Sequence, residues 1–224
     1  MHGVAALAPI SDVVIIVDVL SFSTCVDIAV SQGTVVFPYR WKDETAIDFA
    51  ASVGAELASG RHGASRYSLS PASLQSLPPG TRLVLPSPNG ATLSFGTGAI
   101  PTLTGCLRNS RAVADAAQPY GSRIAVIPAG ERWPDGSLCP AFEDWVGAGA
   151  ILSHLPGVLS PEARAAVAAY ESARADLADV VKGCGSGREL TERGFKQDVV
   201  LATALGVSRC APMLVNGTYT HRER

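Results

Sequence analysis

Acidic and amide side chains recur where apolar runs give way to polar residues. The run Val13-Val14-Ile15-Ile16-Val17 stops on Asp18, with Ser23 and Thr24 just behind it. Arg82 to Leu85 leads into Ser87, Asn89 and Gly90, and residues 101–104 lead to Arg108 and Asn109. Residues 123–128 lead to Gly130-Glu131-Arg132 and then to Glu143-Asp144. Carboxylates can hold a divalent cation through oxygen, while Asn, Arg and the N–H groups of a helix start can bind an anion. Metal-assisted phosphoryl chemistry suits that combination. Each piece also has a plainer reading. Asp18 could only cap a turn, and Glu143 and Asp144 could only complement a helix dipole. Asn89-Gly90 could be a mere turn pair, and Arg61, Arg108 and Arg132 could be solvated surface charges.

These residues can act together only if the elements before them end in one place. Val13 to Leu20 is rich in branched residues and reads as a buried strand, with Asp18 near its carboxyl end. Ser21 or Ser23 can cap the helix that follows, whose apolar face is Phe22, Val26, Ala29 and Val30, with Gly33 as its stop. Thr34 to Pro38 reads as a strand, Lys42 to Val53 as a helix, and 60–80 as a long polar loop with a helical piece near Ser73. Strands follow at Arg82 to Leu85, Pro101 to Thr104 and Arg123 to Pro128, alternating with helices after Gly90 and from Asn109-Ser110 to Ala117. Phe142, Trp145, Val146 and Gly149 have helical spacing after a loop at 129–140, and beyond Pro161 the chain reads as helical throughout. The expectation is an α/β fold of three αβα layers, with a largely parallel or mixed sheet and a helical C-terminal part. Residues 1–224 form one such domain or two intertwined subdomains, with 156–224 mostly helical. In a parallel sheet the four strand ends named above meet at one edge, where ligand crevices lie.

Composition narrows the function classes. With 224 residues, 47% hydrophobic and 17% charged, the chain describes a globule with a substantial core. A net charge of −2 gives no field to recruit nucleic acid or a membrane surface, so an anionic ligand must be held locally. The five cysteines form no CxxC pair, which points to a reducing compartment and away from a zinc ribbon. No leader-like n-region and no long apolar run is present, so the expectation is a cytoplasmic protein.

Three motif-like stretches fail on spacing or context. The glycine-rich 179–187 segment resembles an S-adenosylmethionine turn, but too little chain follows to build the sheet that such a turn opens. Cys184 and Arg188 are too close for a tyrosine phosphatase loop. Arg61-His62-Gly63 matches the tripeptide of phosphohistidine phosphatases, yet it follows no buried first strand; His62 stays of interest as a loop residue.

The ordered series resembles the 2-phosphosulfolactate phosphatase family, magnesium-dependent acid phosphatases associated with coenzyme M biosynthesis. The matching pieces are Val17-Asp18-Val19-Leu20 with Ser23-Thr24, Ser70-Pro71, Ser87-Pro88-Asn89-Gly90, Gly105-Cys106-Leu107-Arg108-Asn109, Ala129-Gly130, Glu143-Asp144 with Ala148-Gly149, and Gly194, Asp198 and Pro212. Three positions depart from the family pattern: Ser21 stands where Arg is usual, Gly60 where Glu precedes Arg61, and Leu69 where Asn is common. The resemblance implies hydrolysis of a small phosphomonoester to the alcohol and phosphate. It implies Mg2+ held by Asp18, Glu143 and Asp144, with Arg61, Asn89 and the Gly90 amide on the phosphoryl oxygens. Ser87, Asn109, Ser23 and Thr24 would complete the substrate site. Asp18 is read first as a metal ligand and second as a nucleophile. A non-catalytic binding protein for an anionic metabolite is the alternative, favoured by the departures at Ser21 and Gly60. Expected partners are a small phosphomonoester and neither nucleic acid nor membrane, with a homo-oligomer left open.

Overall fold

The computed structural model describes residues 2–41, 43–61, 63 and 65–221. Lys42, the expected start of the second long helix, and His62 lie outside the described residues. In chain order the elements are α1 (His2–Leu7), β1 (Val13–Val17), α2 (Phe22–Ser31), β2 (Val35–Tyr39), α3 (Thr45–Ser52), β3 (Glu56–Leu57), β4 (Arg82–Pro86), α4 (Gly90–Gly96), β5 (Thr102–Gly105) and α5 (Ser110–Ala117). They continue with β6 (Ile124–Pro128), β7 (Glu131–Arg132), β8 (Leu138–Cys139), α6 (Phe142–Leu152), α7 (Pro161–Ala173), α8 (Leu177–Gly183), α9 (Gly185–Glu192), α10 (Lys196–Ala202), β9 (Pro212–Val215) and β10 (Thr218–His221).

β1 is apolar at every position because both of its faces are covered. Val13, Ile15 and Val17 pack with residues of α5 and α6, while Val14 and Ile16 pack with Val4 of α1 and Leu93 of α4. In the same way Val36, Leu83 and Leu85 face α2, and Phe37 and Val84 sit with Ala50 of α3. Helices on both faces of one sheet make the three layers that the strand–helix alternation predicts.

The sheet itself is not the simple parallel one. Its order is β3-β4-β2-β10-β9-β5-β1-β6. Two parallel triplets, β3-β4-β2 and β5-β1-β6, are joined by the antiparallel hairpin β9–β10. That hairpin corrects the reading of an all-helical C-terminus: α7 to α10 end at Ala202, and two strands follow. Its turn is Asn216-Gly217 with φ of 50° and 80°, the left-handed pair that tight hairpins need. Pro212 opens β9, a place where a missing N–H is tolerated. A second correction concerns the 129–140 loop, which contains the small antiparallel ribbon β7–β8.

Three successive antiparallel steps, β2 to β10, β10 to β9 and β9 to β5, reverse the sense, so the two triplets run oppositely along the ladder. The ends of β1, β5 and β6 therefore share one edge, and β4 belongs to the other triplet. Twist brings it back. The hairpin pairs with each triplet through a single residue, Tyr219 with Val36 and Met213 with Leu103. At about 20–25° per strand, the steps from β4 to β1 turn the sheet through roughly a right angle or more. The segment after β4 thereby reaches the end of β1, where the Gly90 N–H meets the Asp18 carboxylate at 3.1 Å.

Candidate active site

Asp18 is the first residue past β1, at the end of a strand whose hydrogen bonds go to β5 and β6. Its Oδ1 accepts the Phe22 N–H at 3.0 Å, and its Oδ2 accepts the Gly90 N–H. The expected caps for α2, Ser21 and Ser23, do not act so: Ser21 makes no side-chain cap bond, and Asp18 takes the first-turn N–H instead. Close approach makes the second bond possible. A Cβ on Gly90 would lie 2.2 Å from Cδ1 of the buried Phe22 ring, so only glycine lets this backbone come so near.

Asp144 lies beside this turn. Its Oδ1 accepts the Val19 N–H at 2.7 Å and its Oδ2 the Gly130 N–H at 2.9 Å, so it links the ends of β1 and β6. Glu143, next to it on α6, is 2% exposed and accepts the Cys184 thiol at 3.3 Å. Burial, then the charges of Glu131 and Glu143, push the Asp18 carboxyl up to about 6 against the pull of its two N–H donors. Asp144 is held well above its ordinary value, first by burial and then by the charges of Asp18 and Glu143. A cation would relieve this repulsion. The expected set therefore gathers as a cluster of acids, although among the described residues no three His, Cys, Asp or Glu side chains form a ready metal cage.

Arg61 approaches from the long polar loop. Its Nε donates to Asp198 Oδ2 at 3.2 Å, its Nη2 donates to the Ser21 hydroxyl, and its guanidinium lies 5.6 Å from the Phe195 ring centre. Asp198, 1% exposed on α10, also accepts the Ser70 hydroxyl at 2.6 Å and the Ala72 N–H at 3.1 Å. One carboxylate thus ties the loop, the turn after Ser70 and the C-terminal helices together. It leaves the rest of the guanidinium fork for an anion. Sequence reasoning took Asp198 only as part of a family pattern and gave it no place in the site.

The remaining expected residues divide. Asn89 is half-buried and donates to Glu131 Oε2 at 2.8 Å. Ser87 is buried at the end of β4, its N–H donating to Tyr39 O at 2.8 Å. Ser23 and Thr24 hold the β1–α2 turn: the Asp18 N–H donates to Ser23 Oγ, and the Thr24 hydroxyl donates to Val19 O. Asn109 accepts the Cys106 N–H and donates to Cys210 O, bracing the chain that enters β9. The structure brings Asp18, Glu143, Asp144, Asn89 and Gly90 together and uses Ser23, Thr24 and Asn109 for backbone. Burial pushes the Cys106 and Cys184 thiols up to about 12, which removes them as thiolate nucleophiles.

Next to the acids lies a cavity of about 350 Å3, bordered by Arg40, Trp41, Asn89, Gly130, Glu131 and Arg132. It gathers the ends of β2, β4 and β6. Arg40 had no place in the sequence reading, though a cation directly after the short strand ending at Tyr39 is the available signal. A larger cavity of about 980 Å3 lies between α5 and the β9–β10 hairpin and touches none of the expected site residues.

The sequence profile described as 2-phosphosulpholactate phosphatase matches residues 4–217. The chain is also similar to the 2-phosphosulfolactate phosphatase of Methanothermobacter thermautotrophicus (strain Delta H), 30% identical over 138 residues, which is 62% of this chain and 58% of that protein. No helix among the described residues is long and apolar enough to cross a membrane.

Proposed function

The chain belongs to the 2-phosphosulpholactate phosphatase family, and from that premise we propose that it hydrolyses 2-phosphosulfolactate, or a closely related phosphorylated hydroxy acid, to the alcohol and phosphate with Mg2+. The observation that carries the reading is the pair Asp18 and Asp144, buried side by side at a strand end and held by four backbone N–H groups, with no basic side chain among the described residues paired to either. Hard carboxylate oxygens fit Mg2+, which commonly takes one or two of them and completes its shell with water and phosphate oxygens. Asp18 and Asp144 would hold the ion, with Glu143 beside them. The ion would neutralise charge on the phosphoryl oxygens.

The chain's own part is positioning. The backbone donors fix both carboxylates before substrate arrives, so no side-chain entropy is lost at that moment. Arg61, held by Asp198 and Ser21, would offer its remaining N–H groups to the phosphoryl oxygens, with Asn89, held by Glu131, as a second donor. Such fixed charges supply most of the acceleration in phosphoryl transfer. If attack is covalent, Asp18 is the carboxylate placed for it.

The test is phosphate release from 2-phosphosulfolactate and a panel of small esters, with Mg2+ and with chelator. The reading expects release that chelator abolishes and Asp18→Ala removes. Full magnesium-dependent activity in Asp18→Ala would sink the role of Asp18. Tight binding of esters without any release would establish the binding-protein reading in its place.

A further inference from the structure

The cavity beside the acids carries two cations that nothing in the reaction so far employs. Arg40 follows β2 directly, and its guanidinium lies 5.1 Å from the centre of the Phe95 ring. Stacking on a ring holds an arginine in place without neutralising it. Arg132, on β7, donates through Nη1 to Gly136 O at 2.6 Å, which orients it and likewise leaves its charge. Neither forms an ion pair with a carboxylate among the described residues. Glu131 sits in the same wall and accepts the Asn89 amide at 2.8 Å.

The cavity is joined to the acids through backbone. Gly130, which lines it, is the N–H donor to Asp144, and Asn89 directly precedes the N–H donor to Asp18. Asn89 and Gly130 thus belong both to the wall of this cavity and to the segments that hold the acids. The volume of about 350 Å3 lies at the lower end of the range for ligand pockets, about 300–1,000 Å3. A small organic acid fits such a space, and a nucleotide does not.

We propose that this cavity is the subsite for the non-reacting anionic group of the substrate, a carboxylate or sulfonate on the carbon that bears or adjoins the phosphoester, with Arg40 and Arg132 as the residues that determine specificity. The inference rests on the phosphatase reading for the position of the phosphate. The half-exposed Trp41 forms the mouth of the subsite, and planar guanidinium forks supply paired donors for an oxyanion.

The experiment compares kcat/KM for 2-phospholactate with that for isopropyl phosphate, which has the same skeleton without the carboxylate. It does so in wild type, Arg40→Gln, Arg40→Lys and Arg132→Gln. A parallel calorimetric titration uses sulfolactate, which carries both anionic groups and no phosphate. The preference for the anionic ester is expected to fall about 10- to 100-fold in each Gln variant, the size of one charge-assisted hydrogen bond. Arg40→Lys should keep part of it, and sulfolactate affinity should fall in parallel. Unchanged preference and unchanged sulfolactate affinity in both Gln variants, with wild-type unfolding midpoints, would overturn the subsite. Absence of phosphate release from every ester would instead count against the phosphatase reading, and the sulfolactate titration alone would then decide the subsite.

Discussion

Asp18 and Asp27 are two buried aspartates on either side of one helix start, and they are built in opposite ways. Asp27, fully buried on α2, accepts Arg108 Nε at 2.9 Å and the Ser208 hydroxyl at 2.5 Å. Arg108 also donates to Leu201 O at 3.0 Å, so this ion pair clamps the C-terminal segment onto the first strand–helix unit. Among the described residues Asp18 accepts only from backbone N–H groups, and the charges beside it are those of the acids Glu131, Glu143 and Asp144. Burial pushes both carboxyls upward. The pairing of Asp27 serves the fold. The uncompensated charge of Asp18 costs stability and is the arrangement expected where a cation or a substrate is to be received.

The largest expected contrast is in turnover. Asp18→Asn should lower kcat/KM by about a thousandfold or more, the scale of losing a principal charged group at a phosphoryl-transfer centre. Asp27→Ala should leave the turnover of folded molecules within a few-fold. Steady-state assays corrected for folded fraction check both.

In stability the order reverses. Removing Asp27 strands Arg108 in the interior and should cost about 3–5 kcal/mol, read by urea unfolding. Asp18→Asn loses an acceptor for one N–H, about 1–3 kcal/mol, and gains a comparable amount from the lost repulsion, so its net change at neutral pH should be small.

The dependence on pH sharpens the contrast further. The Asp18 carboxyl is raised from 3.8 to about 6 in the folded protein, so the native state keeps a proton that the unfolded chain gives up in that window. Stability without metal should therefore fall as pH rises from about 4 to about 6, on the order of 3 kcal/mol for this group. Asp18→Asn should flatten the slope, as measured by unfolding midpoints against pH in chelator. A slope unchanged by that substitution would show that Asp18 titrates normally.

Smaller effects belong to the frame around Asp18. Gly90→Ala forces a methyl against Phe22 and should cost about 1–3 kcal/mol while shifting the donor away from Asp18. Asn89→Ala removes an exposed bond to Glu131 and should change stability by under about 1 kcal/mol, with a modest rise in KM.

Much of this was legible in residues that are neighbours in sequence. β1, its terminal Asp18, the start of α2 and the acids opening α6 follow from local apolar runs and polar breaks. The hairpin β9–β10 also has a local signal, Asn216-Gly217, but a weak one: the flanking strands are only four residues each, and the second, Thr218-Tyr219-Thr220-His221, is not an apolar run. Other features had no local signature. The opposed sense of the two triplets is set by where that hairpin inserts. The partner of Arg61 lies 137 positions away, so no spacing rule links it to Asp198. Asn109 reads in sequence as a site residue, yet its amide is committed to Cys106 and Cys210, contacts that only tertiary packing creates. The same packing explains the glycine-rich stretch around 183–187: a Cβ on Gly187 would lie 1.9 Å from Val181 O, so α8 and α9 need glycine to meet.

The most direct test measures phosphate release and unfolding midpoint on the same preparations of wild type, Asp18→Asn and Asp27→Asn, with Mg2+ and with chelator. The account predicts that Asp18→Asn keeps the wild-type midpoint in chelator and loses release, while Asp27→Asn loses midpoint and keeps release per folded molecule. The reverse pattern, an unfolded Asp18→Asn and a stable, inactive Asp27→Asn, would contradict it.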